Sequence, residues 1–253
     1  MTVAEWILSQ NHTLKFDASG MYTNPAKGVN VHEIDLATAN SIADLLTLEA
    51  QNYQFPLDVA LAAIDIESVF DPHCENGNFL GSNKERSLKG FDMGLCQIKI
   101  KYIIGINGIA TVAQATDYAF DIKKAIPHFF EDMANRMDYV QSIGWEKDTM
   151  DDKPTLTMKD GTVRPNPFYG KMVPNKNYFF TNKNSEQRAH NIYWATTTLY
   201  NFGIHGGTVD IETDKTPGYD EKKSHGDHVV HLAHDVSTKC GLPFSFADIV
   251  KDT

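Results

Sequence analysis

The sequence predicts a mainly α protein with α+β character: a helical domain carrying a small β element and one long insertion. Three observations lead there. Apolar residues recur at helical spacing in several separate stretches. The segment Thr155 to Arg164 has the composition of a short hairpin, with Asp160-Gly161 as its turn. Between two helical stretches, Gly144 to Asn184 is polar and rich in Pro, Asn and Lys. With 253 residues, 42% of them hydrophobic and 22% charged, the chain has the composition of a soluble globular protein with a real core.

Residues 1–35 are mixed, with turn formers at Asp17-Ala18-Ser19-Gly20 and Asn24-Pro25, so an irregular N-terminal arm is expected. Asp35 stands as an N-cap before Leu36, Ala39, Ile42, Ala43 and Leu46, an amphipathic helical pattern. Tyr53-Gln54-Phe55-Pro56 breaks it. A second helix runs from Leu57 to about Phe70 and ends at Asp71-Pro72, because proline disfavours helical geometry in the residue before it. Glu75 to Gly90 is polar and glycine-rich, a loop; Phe91 to Lys101 is apolar again. Helical periodicity returns from about Thr116 to Tyr139 and from Ser185 to Phe202. A last helix spans His228 to about Lys239, stopped by Gly241 and Pro243. The main domain is thus expected over 36–245, with 144–184 inserted and 246–253 as a tail.

Charge and cysteine usage narrow the function classes. A net charge of −10 without a Lys/Arg stripe argues against nucleic-acid binding. It also argues against electrostatic capture by an anionic wall or lipid surface. No stretch approaches the ~20 apolar residues of a membrane span. Met1 to Gln10 contains Glu5 and only a short apolar run, unlike a secretory signal. Cys74, Cys96 and Cys240 are odd in number and widely spaced, so reduced thiols are expected rather than a disulfide framework or a zinc site.

The chemistry points first to Glu67. Leu57, Ala60, Leu61 and Ile64 form an apolar stripe, and Glu67 is its next position, in the last turn of the helix. Burial and the negative end of the helix dipole would both favour the protonated carboxyl, which a glycoside-cleaving general acid requires. Asp65 points away from the stripe and is expected to be solvated. The bland alternative for Glu67 is a buried structural carboxylate paired with a Lys or Arg.

After Glu67-Ser68 come Phe70-Asp71-Pro72, a polar loop, and Gly90-Phe91-Asp92-Met93-Gly94-Leu95-Cys96-Gln97-Ile98. This resembles the lysozyme-like superfamily, in which a helix ending in Glu-Ser leads to a Gly-Leu-Met-Gln-Ile segment; here Cys96 replaces Met. Tyr200-Asn201-Phe202-Gly203 is similar to the Tyr-Asn-Ala-Gly of lytic transglycosylases, and Thr216-Pro217-Gly218-Tyr219 to the Thr-x-x-Tyr that often follows. Asp121-Ile122 to Phe129 resembles the intervening helix, with Asp121 in place of Asn. The order of these segments is more specific than any one of them.

The resemblance implies a lysozyme-like fold and a peptidoglycan lytic transglycosylase that cuts between N-acetylmuramic acid and N-acetylglucosamine. Glu67 would be its acid and base, and no cofactor would be needed. Ser68 would touch substrate, or else cap backbone groups. Gln97 would line the groove floor, or else brace the loop from inside. Tyr200 and Asn201 would orient Glu67 or a sugar, Tyr219 would supply an aromatic wall, and Gly94 and Gly203 would let the chain pass close to glycan. Asp92 leaves the mechanism open: a hydrolytic lysozyme would use it as a second carboxylate, whereas a loop aspartate is otherwise a turn former. The Tyr200-Asn201 and Tyr219 segments favour the transglycosylase. His225, His228, His231 and His234 repeat every three residues without a His-Glu-x-x-His pattern, and neither they nor His73-Cys74-Glu75 are assigned a metal. The expected setting is a phage virion made in the host cytoplasm and acting in the periplasm or cell wall, with glycan strands and other virion or tail proteins as partners. A virion protein that keeps the fold for structural purposes is the alternative from another class.

Overall fold

The computed structural model describes residues 1–24, 29–76, 92–106, 108–142, 146–150, 154–157, 161–166, 169–170, 172–175, 192–197, 200 and 225–246. The protein is mostly helical with small antiparallel sheets, an α+β architecture. It divides into two compact units, Met1–Phe130 with Lys239–Gly241, and Glu131–Thr238 with Leu242–Thr253.

In the first unit, the described residues of 1–35 form regular elements where an irregular arm is expected. Helix α1 (Val3–Asn11) opens with a reciprocal capping box: Glu5 N donates to Thr2 Oγ1 at 3.1 Å, and Thr2 N donates to Glu5 Oε2 at 2.7 Å. Trp6 and Ile7 are fully buried. Strands β1 (Met21–Asn24) and β2 (Val29–His32) then pair antiparallel. They begin a five-stranded sheet in sequence order with β3 (Glu75–Asn76), β4 (Asp92–Met93) and β5 (Ile98–Lys99). The sequence reading placed only a small β element near the loop; here the supposed arm supplies two of the strands.

Helix α2 (Leu36–Asn52) is capped as expected, with Asp35 accepting from Thr38 N at 2.7 Å. Gln54 then turns left-handed, at φ 51°. Helix α3 (Leu57–Ser68) is buried on all sides from Asp58 to Asp65. Asp65, expected in solvent, is only 7% exposed. The period misled because a helix enclosed all round needs no polar face. Helix α3 also ends before Asp71-Pro72. Val69 and Phe70 adopt left-handed φ values of 51° and 63°, held by tertiary contacts rather than by glycine. Phe70 is buried edge-on against Trp6, with ring centres 5.6 Å apart. Asn11, at the end of α1, donates from Nδ2 to Val69 O and to His32 O, both at 3.1 Å, while its Oδ1 accepts from Ile34 N at 3.0 Å. One buried amide thus joins α1, the end of β2 and the end of α3.

The short helix α4 (Ile100–Ile103) follows β5 directly. Helix α5 (Val112–Phe120) begins at a Thr111–Gln114 capping box, and α6 (Ile122–Ser142) follows after Asp121. The expected single run from Thr116 is therefore two helices. Asp121 separates them, its extended backbone ending α5 while Oδ1 accepts from Lys123 N at 3.0 Å.

In the second unit, the 144–184 stretch contains β6 (Glu146–Met150) paired with β9 (Met172–Asn175). Between them in sequence lies the β7 (Thr155–Thr157) and β8 (Val163–Pro165) hairpin, where one was expected. Its connection runs from 158 to 162, longer than a two-residue type I′ turn, with Gly161 at φ 81°. Residues 192–197 are helical. The last helix, α7 (His225–Cys240), starts three residues earlier than expected and stops at Gly241, whose φ is 69°.

Candidate active site

The site forms where α3 ends against the β4–β5 hairpin. Gly94, Leu95, Cys96 and Gln97 make the hairpin turn, closed by Gln97 N donating to Gly94 O at 3.2 Å. Ser68 Oγ donates to Leu95 O at 2.6 Å, which ties the last residue of α3 to the middle of that turn. Cys74 O accepts from Gly94 N at 2.8 Å and from Gln97 Nε2 at 3.4 Å, so the chain after α3 is bound to the same turn. The structure therefore brings together the Glu67-Ser68 segment and the Gly94-Leu95-Cys96-Gln97 segment, which are far apart in sequence.

Glu67 is half-buried, and its Oε1 is enclosed. Its carboxyl lies close enough to influence both buried thiols. Cys96 is pushed up by burial and then by Glu67; Cys74 is pushed up by burial, then by the carboxylates of Asp71, Glu67 and Glu75. Both cysteines are therefore packed, protonated thiols, and all three cysteines are free. Cys96 is fully buried.

Asp92 lies in β4 directly across from Lys99 of β5, with Oδ1 3.7 Å from Lys99 Nζ. Burial raises its pKa above the ordinary carboxylate value, while Lys99 and, more weakly, Lys101 oppose that rise. Asp92 is thus neither a simple turn former nor a freely solvated carboxylate.

For two residues the structure adopts the bland alternative. Ser68 is 1% exposed, and its proton is directed to Leu95 O, so it braces the turn rather than facing a ligand. Gln97 is 8% exposed and donates to Gly94 O at 2.9 Å, bracing the turn from inside. Its Oε1 is buried and accepts no hydrogen bond from the described residues. Gly94 is also required for a different reason than closeness to a glycan. A Cβ there would stand 2.0 Å from Ala119 O, so α5 fills the space.

Tyr200 belongs to the second unit, where the Arg136 guanidinium lies 5.5 Å from its ring centre. Asn201, Gly203 and Tyr219 lie outside the described residues. Sequence reasoning missed Asn11 and Asp71. The sequence marks Asp71 only as a helix stop; it is fully buried and accepts from His32 N at 2.7 Å, His32 Nδ1 at 3.0 Å and His73 N at 2.8 Å. A polar residue's long-range partners leave no periodic signal, so neither role was visible. Backbone strain is concentrated here too. Of the four non-glycine residues with positive φ among the described residues, Val69, Phe70 and Gln97 border this site, and Gln54 precedes α3.

No protein-family model matches the chain, and neither does any curated protein or solved structure. Among the described residues no group of three or more His, Cys, Asp and Glu side chains is arranged to hold a metal, and no helix is long and apolar enough to cross a membrane.

Proposed function

We propose that this chain is a peptidoglycan lytic transglycosylase that cleaves the β-1,4 bond between N-acetylmuramic acid and N-acetylglucosamine, with Glu67 as acid and base. The observation that carries this reading is the Ser68–Leu95 hydrogen bond, which fixes the Glu67 helix end against the Gly94–Gln97 turn. That juxtaposition is what the sequence resemblance requires of an acid at a glycan-binding turn. Left-handed non-glycine residues around it support the reading, because strained backbone is retained mainly where function demands a particular geometry.

Glu67 donates its proton to the glycosidic oxygen as the bond to the anomeric carbon breaks. The resulting carboxylate takes the proton of the muramic acid 6-hydroxyl, whose oxygen closes on the anomeric carbon to give a 1,6-anhydro end. One carboxyl serves both steps, so no second carboxylate and no cofactor enter. Asp92 favours this route over a lysozyme-type hydrolysis that would use it as nucleophile or charge stabiliser. It is partly buried, held by Lys99, and its charged form is disfavoured by desolvation. Ser68 and Gln97 are positioning residues on this reading; sugar contacts by Tyr200, Asn201 and Tyr219 are proposed from the sequence resemblance alone.

The proposed setting is a phage particle. With a net charge of −10, the chain gains no attraction to an anionic wall, and delivery within a virion removes the need for any. The test is digestion of purified sacculi with mass spectrometry of the soluble products. Anhydro ends from wild type, lost by roughly 100-fold or more in Glu67→Gln, are expected. Reducing ends lost in both Glu67→Gln and Asp92→Asn would favour the hydrolase, and no muropeptides at all would favour a structural virion protein.

A further inference from the structure

Next to the turn that braces Glu67, in the same unit, lies an exposed patch that neither the packing nor the proposed chemistry uses. Strand β5 leads from that turn directly into α4. Along the two elements Ile98, Ile100 and Ile103 are buried, while Lys99, Lys101 and Tyr102 lie on the outer side. Tyr102 is 65% exposed, more than any other large hydrophobic side chain among the described residues, and Ile106 beyond it is 41% exposed. The Lys101 ammonium stands 4.8 Å from the Tyr102 ring centre, so a positive charge rests on the aromatic surface. The sign of this patch is opposite to that of the chain. Residues 92–106 carry two ammonium groups and one carboxylate, whereas the net charge of the whole is −10. Asp92 offsets one of the two: Lys99 pairs with it at 3.7 Å, and Lys101 reaches the same carboxylate more weakly.

We propose that Lys101 and Tyr102 form an accessory glycan subsite, in which a pyranose ring stacks on Tyr102 and Lys101 pairs with a carboxylate of the peptide stem. The proposal deepens the transglycosylase reading and rests on it for the identity of the polymer. A sugar ring presents a flat C–H surface that an exposed aromatic ring can cover, and tyrosine tolerates water at its hydroxyl end. The stem supplies the negative charge that complements the ammonium. Net repulsion between chain and wall acts at long range, but within a Debye length of about 8–10 Å the local sign decides. A protein partner fits the patch less well, because lysine is depleted from the cores of protein–protein interfaces. A strand held here lies two strand residues along from the turn that is fixed to the Glu67 helix end.

Co-sedimentation with purified sacculi, in a Glu67→Gln background that leaves the strands uncut, tests this. Adding Tyr102→Ala is expected to weaken binding about fivefold, and Tyr102→Phe to leave it unchanged. Lys101→Gln should weaken binding about two- to fivefold and flatten its dependence on salt. Towards neutral chitin oligomers, followed by calorimetry, only the loss from Tyr102→Ala should remain. Both side chains are exposed, so melting temperatures should match the parent's. Absence of binding to sacculi, or equal sedimentation of parent and variants, overturns the proposal, and the second result would leave the patch to a protein partner. Failure of the transglycosylase reading shows separately, as a wild type that yields no anhydro ends while binding still depends on Tyr102.

Discussion

Replacing Gly94 with alanine tests the geometry of the site most directly. Two costs add at that position. Its φ of 74° is left-handed, which costs an alanine about 1–2 kcal/mol. The new methyl would also meet Ala119 O at 2.0 Å and Ala119 C at 2.8 Å, both backbone atoms that cannot swing aside. Overpacking of this kind costs roughly 1–3 kcal/mol, so Gly94→Ala should lose about 2–5 kcal/mol in all. Gly108 provides the control. It has φ 80° in the same unit, yet nothing stands within 4 Å of a Cβ built there, so Gly108→Ala should show the conformational cost alone. Urea unfolding of the three proteins, with hydrogen exchange of the β4–β5 amides as a local readout, measures the difference. Gly94→Ala should expose the turn amides, and Gly108→Ala should not. Equal losses for the two variants would show that α5 does not approach the turn as described.

Other outcomes follow from the same contacts. Ser68→Ala leaves Leu95 O buried without its donor and should cost ~1–3 kcal/mol in urea unfolding, and it should also lower activity per folded molecule because it releases the Glu67 helix end from the turn. Asn11→Ala removes three hydrogen bonds at once and should destabilise by at least ~2 kcal/mol, against little effect if residues 1–35 were a detachable arm. Asp92 has its folded pKa raised, so the native state holds that proton more tightly than the unfolded chain does. Its contribution to stability therefore declines as pH rises from the ordinary carboxylate range through the folded pKa. The melting temperature of Asp92→Asn relative to wild type should accordingly improve between pH 4 and pH 7, and a difference independent of pH would refute the assignment. Native protein should react with a thiol reagent only at Cys240, because Cys74 and Cys96 are buried with raised pKa values; three equivalents in native protein would contradict this.

Local chemistry was legible in the sequence, and long-range pairing was not. The Asp35 cap, the glycine stop at Gly241 and the hairpin around Gly161 depend on neighbours within a few residues, and each stands where expected. The Thr2-to-Glu5 capping box is equally local, but the turn formers at Asp17–Gly20 and Asn24-Pro25 mask it in the sequence. The five-stranded sheet was hidden for a physical reason. Three of its strands are two residues long, too short to show alternation, and the β2–β3 pairing joins segments more than forty residues apart. Helix α3 failed in the opposite sense. Asp65 looks like part of a polar face, yet it is buried, as is Asp58, because the helix is enclosed all round and has no solvent side. Even so, the stripe led to Glu67.

What distinguishes the Glu67 end of α3 is the number of independent constraints on it. Asn11 holds the carbonyl of Val69, Phe70 is seated on Trp6, Ser68 reaches Leu95, and Gln97 and Cys74 hold the turn from behind. Hydrophobic packing alone would be satisfied by fewer of these, and two left-handed residues in succession oppose it by about 1–3 kcal/mol each. A carboxyl that merely fills a helix end needs no such support, whereas one that transfers a proton must be held to within about 0.5 Å of its target. The first thirty-five residues belong to that support: they supply α1, Asn11 and the strand that Asp71 grips. They are thus part of the framework around the Glu67 end of α3, which carries the proposed acid.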